Sequence, residues 1–365
     1  MKWTAFDRWA ARSPVSVRDL SIFRIVYAAV SLFIIARADF SGSLPASAFR
    51  PPWGPLRLIH GTPPGWSLVV ASILASLAAA FLLVGLFSRT SALVLGVTEL
   101  YILGVSFSYG KIDHEVMIPA VAIIFAWSSW SEQLSIDALR GRARRGQPWI
   151  PRILALALGV AFFTAGWAKL TSGWLRLDGQ AARVHVLHTW ATHRSDPILN
   201  LLHDIPSRLL WEAVDWSTVA LELGLIVAAL WWPSFRIGIA LATLFHLGIA
   251  ITLRIAFSYN LLAYAAFIPW AMYIRLPETI ALPPWLRRAL GSVWPVLPVL
   301  LVLAALSWIW GNTELSHNFS TRSTLVTVGA AIGAAYLVAQ AWRLLRWARA
   351  RRPAGEDDEA AEPAS

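Results

Sequence analysis

The chain has 365 residues, of which 57% are hydrophobic and only 14% charged, where a soluble domain carries nearer a quarter; a water-soluble globular fold is excluded. Its 31 Lys and Arg outnumber 21 Asp and Glu for a net charge of +10, yet the arginines cluster in short connections between apolar runs, which argues against nucleic acid as a partner. With no cysteine in the chain, disulfides, thiolate metal sites and thiol catalysis are excluded as well.

In chain order, a polar segment over residues 1–19 leads straight into the first apolar run, so no cleavable signal is expected. Runs of bilayer-crossing character follow at Leu20–Ala36, Ser67–Phe87, Ser91–Phe107, Glu115–Trp130, Ile153–Leu170, Ser217–Trp232, Ile237–Phe257, Leu261–Ile274, Val293–Trp310 and Leu325–Trp342. The fold expected is therefore all-α, a polytopic transmembrane helical bundle of about ten spans. The 21 tryptophans suit a chain with many interfacial anchors.

Charge predicts the orientation. Lys2, Arg8, Arg12 and Arg18 precede the first span, Arg140, Arg142, Arg144 and Arg145 follow the fourth, and Arg287 and Arg288 follow the eighth. Arg343, Arg346, Arg349, Arg351 and Arg352 follow the last. An even span count puts all of these on one side, so both termini are expected in the cytoplasm and the protein in the plasma (inner) membrane. The organisation expected is a cytoplasmic segment over 1–19, a membrane core over 20–275, two further membrane helices within 276–345, and a disordered tail over 346–365 around Glu356-Asp357-Asp358-Glu359.

This topology brings titratable chemistry to the outer face: His114 begins the fourth span, Lys169 ends the fifth, and the loop Thr171–Asp215 follows. A lysine at the rim of a span is an interfacial anchor if its amine snorkels to the headgroups, and an available base if it stays out of water. His114, with Lys111, Asp113 and Glu115 beside it, reads either as part of a proton-shuttling set or as a polar rim. His246 lies near the middle of a span and must find a partner there, catalytic or structural. Arg24, Glu99 and Glu222 are the clearest intramembrane charges, expected to face the interior as pairs or as the wall of a polar cavity.

Other features carry blander readings. His185 and His188, at i, i+3 with His193 and His203 nearby, have zinc-like spacing but lack a completing carboxylate, and histidines of an interfacial helix explain them as well; no metal is expected. The segment Trp174–Trp211 reads as a lid or interfacial helix over the outer face. Gly329 and Gly333 form a small-residue helix-packing motif.

One set of residues points to a family. Ser21-Ile22-Phe23-Arg24-Ile25-Val26 opens the first span, Gly85-Leu86-Phe87-Ser88-Arg89-Thr90-Ser91 joins the second and third, and Asp113-His114-Glu115 precedes Leu134-Ser135-Ile136-Asp137-Ala138-Leu139. Ala165-Gly166-Trp167-Ala168-Lys169-Leu170, Trp174 and Gly179 come next, then Phe245-His246 and Phe257-Ser258-Tyr259. In this order, over roughly residues 15–275, they resemble the membrane domain of vitamin K-dependent gamma-glutamyl carboxylase and its bacterial relatives, the HTTM (horizontally transferred transmembrane) proteins.

The resemblance implies an enzyme that uses a vitamin K-type reduced quinone, oxygen and carbon dioxide to carboxylate a glutamyl group of a peptide or protein. It assigns Lys169 as the initiating base and brings His114 and His246 into the active region. Membrane lipid and quinol are then the partners expected. Two departures stand out: Ala168 occupies a position where the carboxylase has a second lysine, and the chain lacks room for the carboxylase's large substrate-docking domain. The alternative is a non-enzymatic HTTM protein with an export, immunity or quinone-binding role.

Overall fold

The structure is a computed structural model that describes residues 9, 13–34, 45–52, 54–110, 112, 114–177, 179–274, 283–285, 296–311 and 321–350, giving the backbone alone for 307–311, 321–323 and 348–350. Lys111, Asp113 and the acidic tail lie outside these residues. Among those described the regular structure is helical throughout. The principal helices of the first half are α1 (Val17–Ile34), α2 (Gly65–Val84), α3 (Ser88–Phe107), α4 (Met117–Phe125), α5 (Ile136–Leu139) and α6 (Ile150–Thr171). The second half contributes α7 (Ala181–Thr192), α8 (Pro197–His203), α9 (Arg208–Ala228), α10 (Trp232–Thr252), α11 (Ser258–Tyr264), α12 (Trp270–Tyr273), α13 (Leu297–Gly311) and α14 (Thr321–Ala350).

Five of these helices contain stretches long and apolar enough to cross a bilayer: Gly65–Val84, Ser88–Phe107, Ile150–Thr171, Trp232–Thr252 and Thr324–Trp347. The runs expected as spans at Leu20–Ala36, Glu115–Trp130, Ser217–Trp232, Leu261–Ile274 and Val293–Trp310 are not among the five. In three of them, Glu115–Trp130, Leu261–Ile274 and Ser217–Trp232, the course of the chain departs from a single span over the expected bounds. Within 115–130 only the nine residues of α4 are α-helical, after a 3-10 turn at His114–Val116. Nine residues rise roughly 14 Å, against about 30 Å of hydrocarbon. The serine-rich stretch after Phe125 takes over the carbonyls: Ser128 Oγ donates to the Phe125 carbonyl at 2.8 Å, a local bond that competes with helix continuation. The run 261–274 is broken because Pro269 has no N–H and holds Ile268 extended, at φ −72° and ψ 132°. The third run starts early, at Arg208, where the Ser207 hydroxyl caps the Leu210 N–H, so α9 carries Glu212 and Asp215 as well as Glu222.

The two shortened segments still carry the chain from one end of the bundle to the other. His114 follows the C-terminal end of α3 by seven residues, whereas Asp137, beyond α4, bonds the first residues of α3: its carboxylate accepts from Phe87 N at 3.0 Å and from Ser88 N and Oγ at 2.8 Å each. In the same way the chain leaves α10 at Phe257 and arrives back at its start, where Arg236 Nε donates to the Phe267 carbonyl and Ala271 N to Asp19 of α1.

Among the described residues, Arg18, the arginines of 140–145, Arg152 and Arg343 consequently share one end. Trp9 ties into it by donating to the Leu230 carbonyl and packing under Arg152, and Arg343 of α14 lies over Met272. At the opposite end stand the C-terminus of α6, the N-terminus of α9, His114, Phe257, α7 and α8.

The core sits where α1 meets α4 and the turn after it. Phe23, Tyr27, Phe125 and Trp130 are at most 1% exposed, with ring centroids 5.4–6.4 Å apart, and the Tyr27 hydroxyl donates to the Ile118 carbonyl at 2.8 Å. Glu99 of α3 is buried in the interior at 1% exposure. Gly329 of α14 meets Leu261, and Gly333 meets Thr243 and the Ala240 carbonyl, so this pair is a helix-packing contact with α10 and α11.

Candidate functional site

The family-like residues at the arginine-rich end form a latch. Gly85, in the left-handed region at φ 68°, ends α2 and lies flat against the buried guanidinium of Arg24, leaving no space for a Cβ. Arg24 Nη2 donates to the Leu134 carbonyl at 2.5 Å, and Asp137 N donates to the Gly85 carbonyl at 2.9 Å. With Asp137 capping α3 as described, the segments 21–26, 85–91 and 134–139 lock three helix ends together. Arg24 is thereby a structural charge, held at the end of the bundle away from Lys169.

At the opposite end α6 and α9 pack unusually close. A Cβ on Gly159 would stand 2.9 Å from Ile226 Cα, and one on Gly166 would stand 2.8 Å from Glu222 Cβ. These two glycines, two turns apart on one face, let the backbones approach and bring Glu222 opposite the last turn of α6. Lys169 stands there, its Nζ donating to both carboxylate oxygens of Glu222 at 2.6 and 2.7 Å. The carboxylate side chain is 5% exposed and the lysine side chain 22%, so the ion pair is buried on one side and open on the other. The chain then turns back, Trp174 N donating to the Lys169 carbonyl, and the Trp174 ring comes within 5.3 Å of the Lys169 amine. His185 of α7 continues the aromatic wall, 5.5 Å from Trp174.

The two histidines gather elsewhere. Phe257 lies between them, 4.6 Å from the ring of His114 and 5.0 Å from that of His246. His246, 3% exposed, has its Nε2 within 2.8 Å of the Tyr264 hydroxyl and its ring parallel to the tyrosine at 8°; either atom of this bond serves as donor, depending on the tautomer. Phe162 of α6 contacts both His246 and Tyr264. Since Phe162 precedes Lys169 by seven residues on the same helix, the histidine cluster lies roughly 10 Å along α6 from the ion pair. Lys169 makes its hydrogen bonds to Glu222 and to neither histidine.

The segment Trp174–Trp211 folds as the pair α7 and α8. Asp215, fully buried, accepts from Ala182 N at 2.8 Å and so caps α7 from α9. Trp190 donates to Asn200 and stacks on His203 at 3.9 Å, and Arg254 pairs with Asp196. His185, His188, His193 and His203 do not converge: among the described residues no three side chains of metal-ligating type come together. Sequence reasoning missed two residues that organise these sites, Asp215 and Tyr264. For Asp215 a signal existed, since it shares one face of α9 with Glu222 at i, i+7.

A chain whose described regular structure is all helical, with five helices long and apolar enough to cross a bilayer, is an integral membrane protein. The model of the HTTM domain matches residues 13–271, and the chain belongs to that family. No curated protein and no solved structure matches it.

Proposed function

We propose that the protein is a multi-pass enzyme that carboxylates a glutamyl group, with Lys169 as the initiating base. The observation that carries this reading is the half-open ion pair: an amine gripped by a buried carboxylate under an aromatic wall, at the end of the bundle that also holds His114 and the α7–α8 pair. By the positive-inside rule the arginine-rich end is cytoplasmic, so Lys169 faces outward in a ten-transit topology with both termini inside.

A reduced quinone of the vitamin K type, when bound, supplies the reducing power that turns oxygen into a base strong enough to take a glutamyl γ-proton. The donor set fits such a group. A hydroquinone hydroxyl needs a base at the end of an apolar approach and a flat surface beside it, and Lys169 Nζ with the Trp174 and His185 rings provides both. For Nζ to accept a proton it must first give one up. Glu222, whose carboxylate oxygens stand 2.6 and 2.7 Å away, is the group placed to take that proton. Trp174 limits access of bulk water, and α7 and α8 act as the cover. His114 and His246 frame Phe257 farther along α6.

The test is incubation of the purified protein with a reduced naphthoquinone, labelled carbon dioxide and a glutamyl peptide. Label incorporation and oxygen-dependent quinol oxidation are scored separately, and both are expected to vanish in Lys169→Ala while the protein stays monodisperse. Activity retained in that variant overturns the assignment. A second reading rests on the same grip: two hydrogen bonds across the α6–α9 seam are what a structural strut requires, in a non-enzymatic HTTM protein serving export, immunity or quinone binding. Loss of folding in Lys169→Ala, with no turnover in the unaltered protein, favours that reading.

A further inference from the structure

A second feature lies away from Lys169. A half-open cavity of about 160 Å³ runs between α1, α10, α11, α12 and α14. Its walls are apolar along most of their length, with Ile239, Leu261 and Val328 among them, and Ala240, Gly329 and Gly333 make the room by carrying little or no side chain. On α14 the lining extends from Leu325 to Tyr336, a rise of roughly 16 Å, which is about half the hydrocarbon thickness of a bilayer. The room matches one acyl chain of one leaflet, in length and in character.

Thr243 and Tyr264 are polar residues partway along the lining, their hydroxyls engaged by the Ala240 carbonyl and by His246; the charged group stands at one end. Arg236 is anchored there by its Nε bond to the Phe267 carbonyl at 3.2 Å and by Trp232, whose ring centroid is 5.5 Å from the guanidinium carbon. These contacts hold the fork; Asp19 is the carboxylate that acts on its charge from nearby, and it is already engaged by the Ala271 N–H and the Ser16 hydroxyl. Tyr273, Tyr336 and Trp270 stand at the same end, the residue types that anchor at headgroup depth. Arg343, against Met272, adds a second cation just outside. A fixed guanidinium at the mouth of an apolar slot selects for negative charge, and this is the arginine-rich end, which the positive-inside rule turns toward the leaflet rich in anionic lipid.

We propose that this cavity binds one anionic phospholipid, its acyl chain along Leu261 and Gly329 and its phosphate on Arg236. The site is separate from the Lys169 chemistry and stands whether or not the protein is an enzyme.

The test uses the full-length protein, delipidated in detergent, with dioleoylphosphatidylglycerol or dioleoylphosphatidylcholine added at equal concentration and bound lipid counted by native mass spectrometry. One phosphatidylglycerol per chain is expected to persist, favoured about tenfold over phosphatidylcholine. Arg236→Gln is expected to abolish the preference while leaving chain binding, Ile332→Trp to remove both lipids by filling the slot, and Arg343→Gln to change the ratio by less than about twofold. An unchanged preference in Arg236→Gln overturns the proposal. So does an equal loss in Arg343→Gln, which reports diffuse surface attraction, or displacement by inorganic phosphate, which reports an anion site without a chain. A naphthoquinone that displaces the lipid equally well from the unaltered and Arg236→Gln proteins overturns it too. Should Arg236→Gln fail to purify, Ile332→Trp decides the matter: lipid retained in that variant overturns the proposal.

Discussion

The Lys169–Glu222 pair is asymmetric, and the asymmetry predicts unequal effects from removing its two members. Lys169→Met leaves the Glu222 carboxylate, 5% exposed, without the cation that pairs with it among the described residues. Stranding one partner of a buried pair costs about 3–5 kcal/mol, and the lower figure applies because the lysine side of the pair is open, so about 3 kcal/mol is expected. Glu222→Leu strands an ammonium that is 22% exposed on a flexible stem and reaches water by a small swing, at a cost of about 1 kcal/mol. The double variant places two apolar side chains against each other across the α6–α9 seam and is expected within about 1 kcal/mol of the unaltered protein. At about 2 °C per kcal/mol for a chain of this size, melting in detergent micelles should fall by about 6 °C, about 2 °C and less than about 2 °C respectively. Equal drops for the two single variants, or a double variant that falls by their sum, would refute the reasoning.

Three further outcomes follow from the geometry. Gly85→Ala forces a side chain into the space of Arg24 and Ser135 and into the left-handed region, so about 3 kcal/mol should be lost, read as a melting shift of about 6 °C; a shift below about 2 °C would mean that the latch yields freely. Tyr264→Phe removes the described partner of His246 Nε2, a buried nitrogen, and should cost about 1–3 kcal/mol, recovered in large part when His246 is replaced by Leu in the same chain. Asp215→Ala deprives Ala182 N of its acceptor and should loosen α7 by about 1 kcal/mol, so limited trypsin cleavage at Arg183 and Arg194 is expected to accelerate severalfold while the rest of the bundle resists; an unchanged cleavage pattern counts against the capping role.

Much of the chemistry was legible as single residues and little of it as pairs. Arg24, Glu99 and Glu222 stand out in any hydropathy reading, since a charge in an apolar run is costly enough to need an explanation. That Arg24 belongs to a latch with Gly85 and Asp137, and Glu222 to Lys169, was not legible, because each partnership joins segments at least 50 residues apart through close approach of backbones. The quoted family residues accordingly divide into two groups: 21–26, 85–91 and 134–139 are architectural, while 165–170, Trp174 and His114 stand at the opposite end.

The sequence by itself determined the solvent and the repertoire. Apolar runs dictate helices in a bilayer because lipid cannot satisfy a backbone amide, and the described arginines of the connections, at 140–145 and at 343, stand at one end of the bundle. The shortening after Phe125 and at Pro269 is local, set by Ser128 and by the proline itself; only the tertiary structure decided which charges meet. Hydrophobic periodicity reports how far a segment is buried, but the identity of its neighbour depends on where small residues such as Gly159 and Gly166 let two helices touch. On that contact rests the difference between a lysine that anchors in the headgroups and one held against a carboxylate.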